Sequence, residues 1–82
     1  MYAIIISDNA LKQIAKLDKP IQERIFNSLE KIRIRPESFV KKLVGMPGYR
    51  LRVGDYRIIL DIEKEKLLVL VIKVGHRRNV YE

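Results

Sequence analysis

The stretch that most constrains the fold is residues 49–62, YRLRVGDYRIILDI, in which two β-rich runs flank a Gly-Asp pair. A Gly-X pair between two such runs is typical of a type II′ turn, so the stretch predicts an antiparallel hairpin. Side chains alternate between the two faces of a strand, which puts Arg50 and Arg52 together on one face. Arg57 opens the second strand and can join them. One face of the predicted hairpin therefore carries three guanidinium groups.

Two segments that precede the hairpin have the spacing of amphipathic helices. Apolar side chains recur at helical intervals in residues 10–17, and Ser7, Asp8 and Asn9 are candidates to cap the first turn of this predicted helix. Pro20 suits the first turn of a second helix, and Pro36 is expected to end it. The apolar stripe of the second helix comprises Ile21, Ile25, Phe26, Leu29 and Ile32. The two helices adjoin each other in the chain, so we expect an αα-hairpin.

Residues 2–6 (YAIII) and 67–74 (LLVLVIKV) are short apolar runs rich in β-branched side chains, and they predict a first and a last strand. The order β-α-α-β-β-β predicts an α+β fold, with an N-terminal helical hairpin packed on one face of a mainly antiparallel four-stranded sheet. A chain of 82 residues is expected to form a single domain over residues 1–82. The side chains expected on the buried sheet face are Tyr49, Leu51, Val53, Ile58, Leu60 and Leu70.

The arginine face of the sheet is expected to remain open. The helical hairpin can cover only one face, and the apolar side chains direct it to the other. A shift of one residue in the strand register would bury guanidinium groups, at a cost of several kcal/mol each. Convergent arginines on an open face predict a binding surface for a polyanion or for a set of carboxylates.

Positive charge is concentrated in the same half of the chain. The net charge is +7, and residues 41–82 carry ten Lys and Arg against five Asp and Glu, compared with seven against five in residues 1–40. This excess predicts attraction to nucleic acid or to an acidic protein. A lysine-rich solubility surface would also be basic, but arginines at strand-face spacing favour binding.

The sequence offers little for metal or cofactor chemistry. It has no cysteine and one histidine, so we expect no disulfide framework, no metal centre and no cofactor. No apolar run approaches the roughly 20 residues of a membrane span, and the N-terminus lacks a basic leader. We therefore expect a cytoplasmic protein without a membrane partner.

A second basic cluster follows the last predicted strand, in residues 73–82 (KVGHRRNVYE). Gly75 permits a sharp change of backbone direction, and His76 follows it directly. Composition alone is compatible with a frayed basic tail. The alternative is a tail that packs back on the domain through Val80 and Tyr81.

Two stretches carry a family resemblance: KLVGMPGYRLRVGDYRI in residues 42–58 and VGHRRNVY in residues 74–81. Together they resemble the RelE/ParE superfamily of toxin–antitoxin toxins, specifically its RelE branch, and the similarity extends over nearly the whole chain. The resemblance implies an mRNA interferase that enters the ribosomal A site. Such an enzyme cleaves the messenger by attack of a ribose 2′-hydroxyl, which leaves a 2′,3′-cyclic phosphate. It also implies a cognate RelB-like antitoxin as partner, beside the ribosome and mRNA, and a toxin–antitoxin complex that binds operator DNA.

The resemblance further implies roles for individual residues. The basic catalytic positions of the family match Arg50, Arg52, Arg57 and Arg77, and its base-stacking tyrosine matches Tyr81. Further RNA contacts are expected from Lys42, Lys73 and Arg78.

The sequence departs from the family at the position of the general base. Active relatives carry lysines where this chain has Arg50 and Arg52, and arginine, which is far more basic than lysine, keeps its proton. His76 is the side chain whose ordinary pKa suits proton transfer near neutral pH, so it is a candidate for the catalytic base. A contact of His76 with a phosphate or with the ribosome is the alternative.

Two other functions are compatible with the same pattern. One is a ParE-like toxin that inhibits gyrase, although such toxins generally lack the arginine constellation and the terminal tyrosine. The other is a degenerate toxin that retains only antitoxin and operator binding, which the two arginines in place of lysines would suggest.

Overall fold

The structure, a computed structural model, describes residues 1–76 as two helices packed against one mixed sheet. The elements are β1 (Ala3–Ile6), α1 (Asp8–Ala15), α2 (Lys19–Lys31), a 3₁₀ turn (Pro36–Ser38), β2 (Lys41–Lys42), β3 (Tyr49–Val53), β4 (Tyr56–Glu63) and β5 (Leu68–His76). The strand order is β1-β5-β4-β3-β2. Strands β1 and β5 are parallel, and the other neighbours are antiparallel. The predicted α+β fold is confirmed, but the sheet has five strands rather than four because β2 was not anticipated.

The helices begin near the predicted residues, but Phe26, which was predicted to lie in the apolar stripe of the second helix, is 41% exposed. Ser7 caps α1, where its Oγ accepts a hydrogen bond from the backbone N–H of Ala10 at 3.0 Å. Helix α2 follows Asp18 and carries proline in its first turn. Within residues 1–76, no helix is long and apolar enough to cross a membrane. The buried helical side chains are Ala10 and Ile14 of α1 and Ile25 and Leu29 of α2.

The core lies between these helices and one face of the sheet. The fully buried sheet residues include Ile58 and Leu60 of β4, with Val69 and Val71 of β5. Leu70, predicted to be in the core, is half-buried and lies on the other face, opposite Asp61. That prediction was wrong because strand β5 does not keep one alternation along its length.

A β-bulge in β5 is the reason for the change of alternation. Ile59 pairs with Lys73 and Leu60 pairs with Val71, which leaves Ile72 as an extra residue between them. Two side chains of the α1 region satisfy the backbone there: Ser7 Oγ donates to the carbonyl of Ile72 at 2.9 Å, and Gln13 Oε1 accepts from the N–H of Val74 at 2.6 Å. The bulge places Val69 and Val71 in the core before it and Val74 in the core after it.

Candidate nucleic-acid interface

The strand register arranges the basic side chains in two rows across the open face of the sheet. Directly paired residues share a face and lie about 4.5–5.5 Å apart between Cα atoms. One row comprises Lys41, Arg50, Ile59 and Lys73, and the other comprises Arg52, Arg57 and Gly75. Three of the predicted site residues, all arginines, are therefore brought together on adjacent strands, and a predicted RNA contact, Lys73, ends one row.

A cavity of about 140 Å³ opens among these side chains. Arg52 is exposed, and its Nε donates to the carbonyl of Gly54 at 3.2 Å, which holds the guanidinium near the hairpin turn. Arg50 and Arg57 are half-buried. The cavity is lined by Phe39, Lys41, Arg50, Arg52 and Arg57. Among the described residues that line it, none is acidic, so the cavity is suited to an anion.

This clustering of like charges is unfavourable for folding. Arg52 and Arg57 are directly opposite each other on β3 and β4, and Lys41 is directly opposite Arg50 on β2 and β3. Like charges in such positions destabilise a sheet by roughly 0.2–1 kcal/mol for each pair. A bound phosphate would relieve the repulsion, and guanidinium groups bind phosphate oxygens through paired, charge-assisted hydrogen bonds. The cluster therefore has the charge and the hydrogen-bond donors that a phosphate ligand requires.

A second concavity, larger than the arginine cavity, has a different character. It has a volume of about 390 Å³ and lies at the β4–β5 turn, where the side chains of Glu63, Lys64, Glu65 and Lys66 alternate in charge. Lys64 forms an ion pair with Glu37 at 3.2 Å. A hydrogen bond from its own backbone and the ammonium of Lys64 hold the pKa of Glu37 below its usual range, and the hydrogen bond to Glu37 raises the pKa of Lys64. This mixed surface does not suit a polyanion.

The structure places other predicted site residues away from the arginines. His76 pairs with Tyr56, whose other neighbour Val53 is buried, so the imidazole lies on the helix side of the sheet. The His76 and Tyr56 rings meet edge to face, with centroids 5.4 Å apart and planes at 79°. Gly75 is the residue opposite Arg57. His76 is therefore not brought together with the three arginines.

The lysines of β2 also divide between the two faces. Lys42, a predicted RNA contact, pairs with Tyr49, and Lys41 pairs with Arg50. Lys41 is thus the β2 lysine on the arginine face, and the sequence analysis missed it because a strand of two residues gives no periodic signal. Phe39 was also missed, because a single aromatic residue outside the periodic segments gives no sign of a site. The predicted site residues Arg77, Arg78 and Tyr81 lie outside the described residues.

Within residues 1–76, no group of three or more His, Cys, Asp or Glu side chains comes together in a way that could hold a metal ion. The chemistry that the described residues offer is electrostatic. Fixed guanidinium groups on a rigid sheet can bind a phosphate and can stabilise additional negative charge as it develops there.

The fold and the arginine face define a small, basic α+β protein with a cationic cavity on its open sheet face, and comparison with known proteins identifies its family. The family model for the ParE toxin of type II toxin–antitoxin systems matches residues 4–81. The mRNA interferase toxin RelE of Escherichia coli K12 is 33% identical over 81 residues, which cover 95% of this chain and 85% of that protein. The chain belongs to the RelE/ParE superfamily of toxins, and it is RelE-like.

Solved structures agree with that assignment. The toxin of the intact E. coli RelBE toxin–antitoxin complex superposes with a TM-score of 0.78 at 33% identity, covering 93% of this chain and 96% of that chain. A chain of the archaeal RelE–RelB complex from Pyrococcus horikoshii superposes with a TM-score of 0.82 at 27% identity, covering 96% and 98%. The resemblance found in the sequence is confirmed.

Proposed function

We propose that this protein is the toxin of a RelBE-type toxin–antitoxin system and cleaves mRNA in the ribosomal A site. One observation carries the proposal: a chain 33% identical to an mRNA interferase places Lys41, Arg50, Arg52 and Arg57 around one cavity on its open sheet face. RNA supplies the phosphate that such a cavity binds, and its 2′-hydroxyl supplies an internal nucleophile.

In the proposed reaction, a ribose 2′-oxygen attacks the adjacent phosphorus and loses its proton to a base. The bond from phosphorus to the 5′-oxygen breaks, and that oxygen takes up a proton. The products are a 2′,3′-cyclic phosphate and a 5′-hydroxyl. The intermediate state carries extra negative charge on the phosphorane oxygens, which preorganised guanidinium groups stabilise. Arg57, half-buried between its neighbours on β3 and β5, is our candidate for the main contact to this charge.

The identity of the proton acceptor is a separate question. Arg50 and Arg52 stay charged near neutral pH, so in this mechanism they act through charge alone. The hypothesis that His76 is the base stays a prediction. The strand register turns the His76 ring towards Tyr56 and away from the arginines, which makes a catalytic base the weaker alternative to a contact with a phosphate or with the ribosome. The pH–rate profile of His76→Gln tests it: loss of the limb near the ordinary histidine pKa supports a base, and an unchanged profile removes the hypothesis.

An acidic antitoxin is the proposed protein partner. The similar E. coli and P. horikoshii structures are of complexes of RelE with RelB. The two basic rows offer an acidic RelB-like segment the same charge complementarity that they offer RNA. We further propose that the complex binds operator DNA, because the toxin contributes a net charge of +7 to it.

The test is cleavage on translating ribosomes, with messenger 5′ ends mapped by primer extension. We expect cuts at codon-linked positions, and we expect Arg57→Ala to slow cleavage by about 10²–10³-fold, the usual effect of removing one donor to a developing anion. Arg35→Ala is the matched control, because Arg35 is exposed and lies outside the arginine cavity.

The same experiment separates the alternatives. The matching family model bears the ParE name, so gyrase inhibition is the competing function. Intact messenger with broken DNA in the presence of gyrase would favour it. Intact messenger and intact DNA would indicate a degenerate toxin that only binds its partners.

A further inference from the structure

The aromatic ring of Phe39 has no evident role in the core. Phe39 is 46% exposed, and its side chain lines the arginine cavity. The next residue, Val40, packs against the buried core. An exposed ring that lines a cationic cavity is suited to contact a ligand that has an apolar or aromatic surface.

The backbone that carries this ring is held by contacts on both sides of Phe39. Phe39 ends the 3₁₀ turn, where its N–H donates to the carbonyl of Pro36 at 3.1 Å, and Pro36 is fully buried. Two residues further on, Lys41 pairs with Arg50 in the sheet. The backbone that carries the ring is therefore anchored on both sides, on the same sheet as the guanidinium groups.

A fixed aromatic ring beside a phosphate-binding cluster is the arrangement by which proteins hold single-stranded nucleic acid. The charges bind the backbone, and the ring stacks on a base. The ammonium of Lys31 lies over one face of the Phe39 ring, with Nζ 5.9 Å from the ring centroid. A base would therefore stack on the opposite face of the ring.

We propose that Phe39 stacks on a base of the messenger whose backbone phosphate lies in the arginine cavity. The inference rests on the proposed function, and it makes Phe39 a binding residue that sets the register of the RNA relative to Arg57. The stacking contact is independent of base identity, since every base offers a π face. It therefore positions the strand without reading its sequence.

The experiment measures binding without cleavage. The probe is a short single-stranded oligoribonucleotide with 2′-O-methyl groups, which remove the nucleophile, and with 2-aminopurine, whose fluorescence is quenched when it stacks. We expect Phe39→Leu to raise the Kd about fivefold to a hundredfold and to abolish the quenching, and Phe39→Tyr to restore both. Phe26→Leu is the matched control, because Phe26 is 41% exposed on α2 and does not line the cavity.

A second oligonucleotide, abasic at the position where quenching is strongest, separates stacking from a general effect of the substitution. We expect the wild-type protein to bind it as weakly as Phe39→Leu does, and the substitution to cause no further loss. Three results would each overturn the inference. The first is equal affinity of wild type and Phe39→Leu for the probe, and the second is a loss of affinity in Phe39→Leu that persists in full with the abasic probe. The third is no binding of the probe by the wild type at low salt.

The outcomes for stacking and for cleavage are distinguishable. Suppose that the protein quenches 2-aminopurine, that Phe39→Leu abolishes the quenching, and that ribosomal messenger stays intact. This result would refute the proposed nuclease and support stacking by Phe39. Normal cleavage by a Phe39→Leu variant with unchanged affinity for the probe would refute stacking and leave the nuclease in place.

Discussion

Removal of one arginine from the cluster is expected to stabilise the fold. In Arg52→Gln the charge directly opposite Arg57 is lost. Two unit charges about 6 Å apart at a water-like dielectric repel by about 0.7 kcal/mol, within the usual range for opposed like charges in a sheet. The hydrogen bond from Arg52 Nε to Gly54 is lost as well, but it is exposed, so water replaces it at small cost.

We expect Arg52→Gln to raise the free energy of unfolding by about 0.5 kcal/mol, which for a domain of this size raises the Tm by about 2–4 °C. The measurement is thermal unfolding followed by circular dichroism in buffer of low ionic strength and again in about 1 M salt, where the Debye length is about 3 Å. The gain should vanish in high salt. The same variant should cleave messenger more slowly, because the cavity loses a charge.

The control for this prediction is Arg35→Gln, which lowers the net charge equally at an exposed position without a cross-strand partner. A gain of the same size in the control would assign the effect to net charge rather than to opposition across the strands. A lower Tm for Arg52→Gln at low salt, or a gain that persists in high salt, would refute the electrostatic reasoning.

Three further predictions follow from the core, the bulge and the ion pair. Ile58→Ala, at a fully buried position, should lower the free energy of unfolding by about 2–5 kcal/mol in urea titration, and a loss below about 1 kcal/mol would contradict the packing described. Ser7→Ala removes the cap of α1 and the bond to the Ile72 carbonyl, so the same titration should show a loss of about 1–2 kcal/mol, with Ser7→Thr largely restoring it. In Lys64→Gln the pKa of Glu37, followed by NMR, should rise only part of the way towards its ordinary value, because the backbone hydrogen bond, the larger cause, remains. Because the fold lowers the pKa of Glu37, this carboxylate stabilises the fold at pH values above its ordinary pKa, and the stabilisation is lost as the pH falls through the lowered pKa. An unchanged pKa of Glu37 in Lys64→Gln would contradict the ion pair.

The hairpin and its arginine face could be predicted because their signals are local. The alternation in residues 49–62 sets which side chains share a face, and the turn depends on Gly54, which has a φ of +59°. The observed strands, Tyr49–Val53 and Tyr56–Glu63, follow the predicted ones to within one residue. Family resemblance then supplied the chemistry that the pattern alone left open.

The remaining features depend on contacts that are distant in sequence. The two-residue strand β2 exists only because Lys41 and Lys42 pair with β3, and the sequence gives no periodic sign of it. The side of the sheet that His76 occupies depends on the bulge, which is stabilised by Gln13 more than sixty residues earlier. Both features decide on which face of the sheet a side chain lies, and a shift of one residue in the register moves a side chain to the opposite face.

The bulge in β5 also has a consequence for how this strand tolerates mutation. On its N-terminal side the odd-numbered positions, Val69 and Val71, should resist polar substitution, whereas on its C-terminal side the even-numbered Val74 should do so. Ile72 marks the point where the parity changes. Deletion of this one residue would make the ladder regular while every remaining side chain kept its face, so β5 should accept a one-residue deletion there more readily than anywhere else along its length.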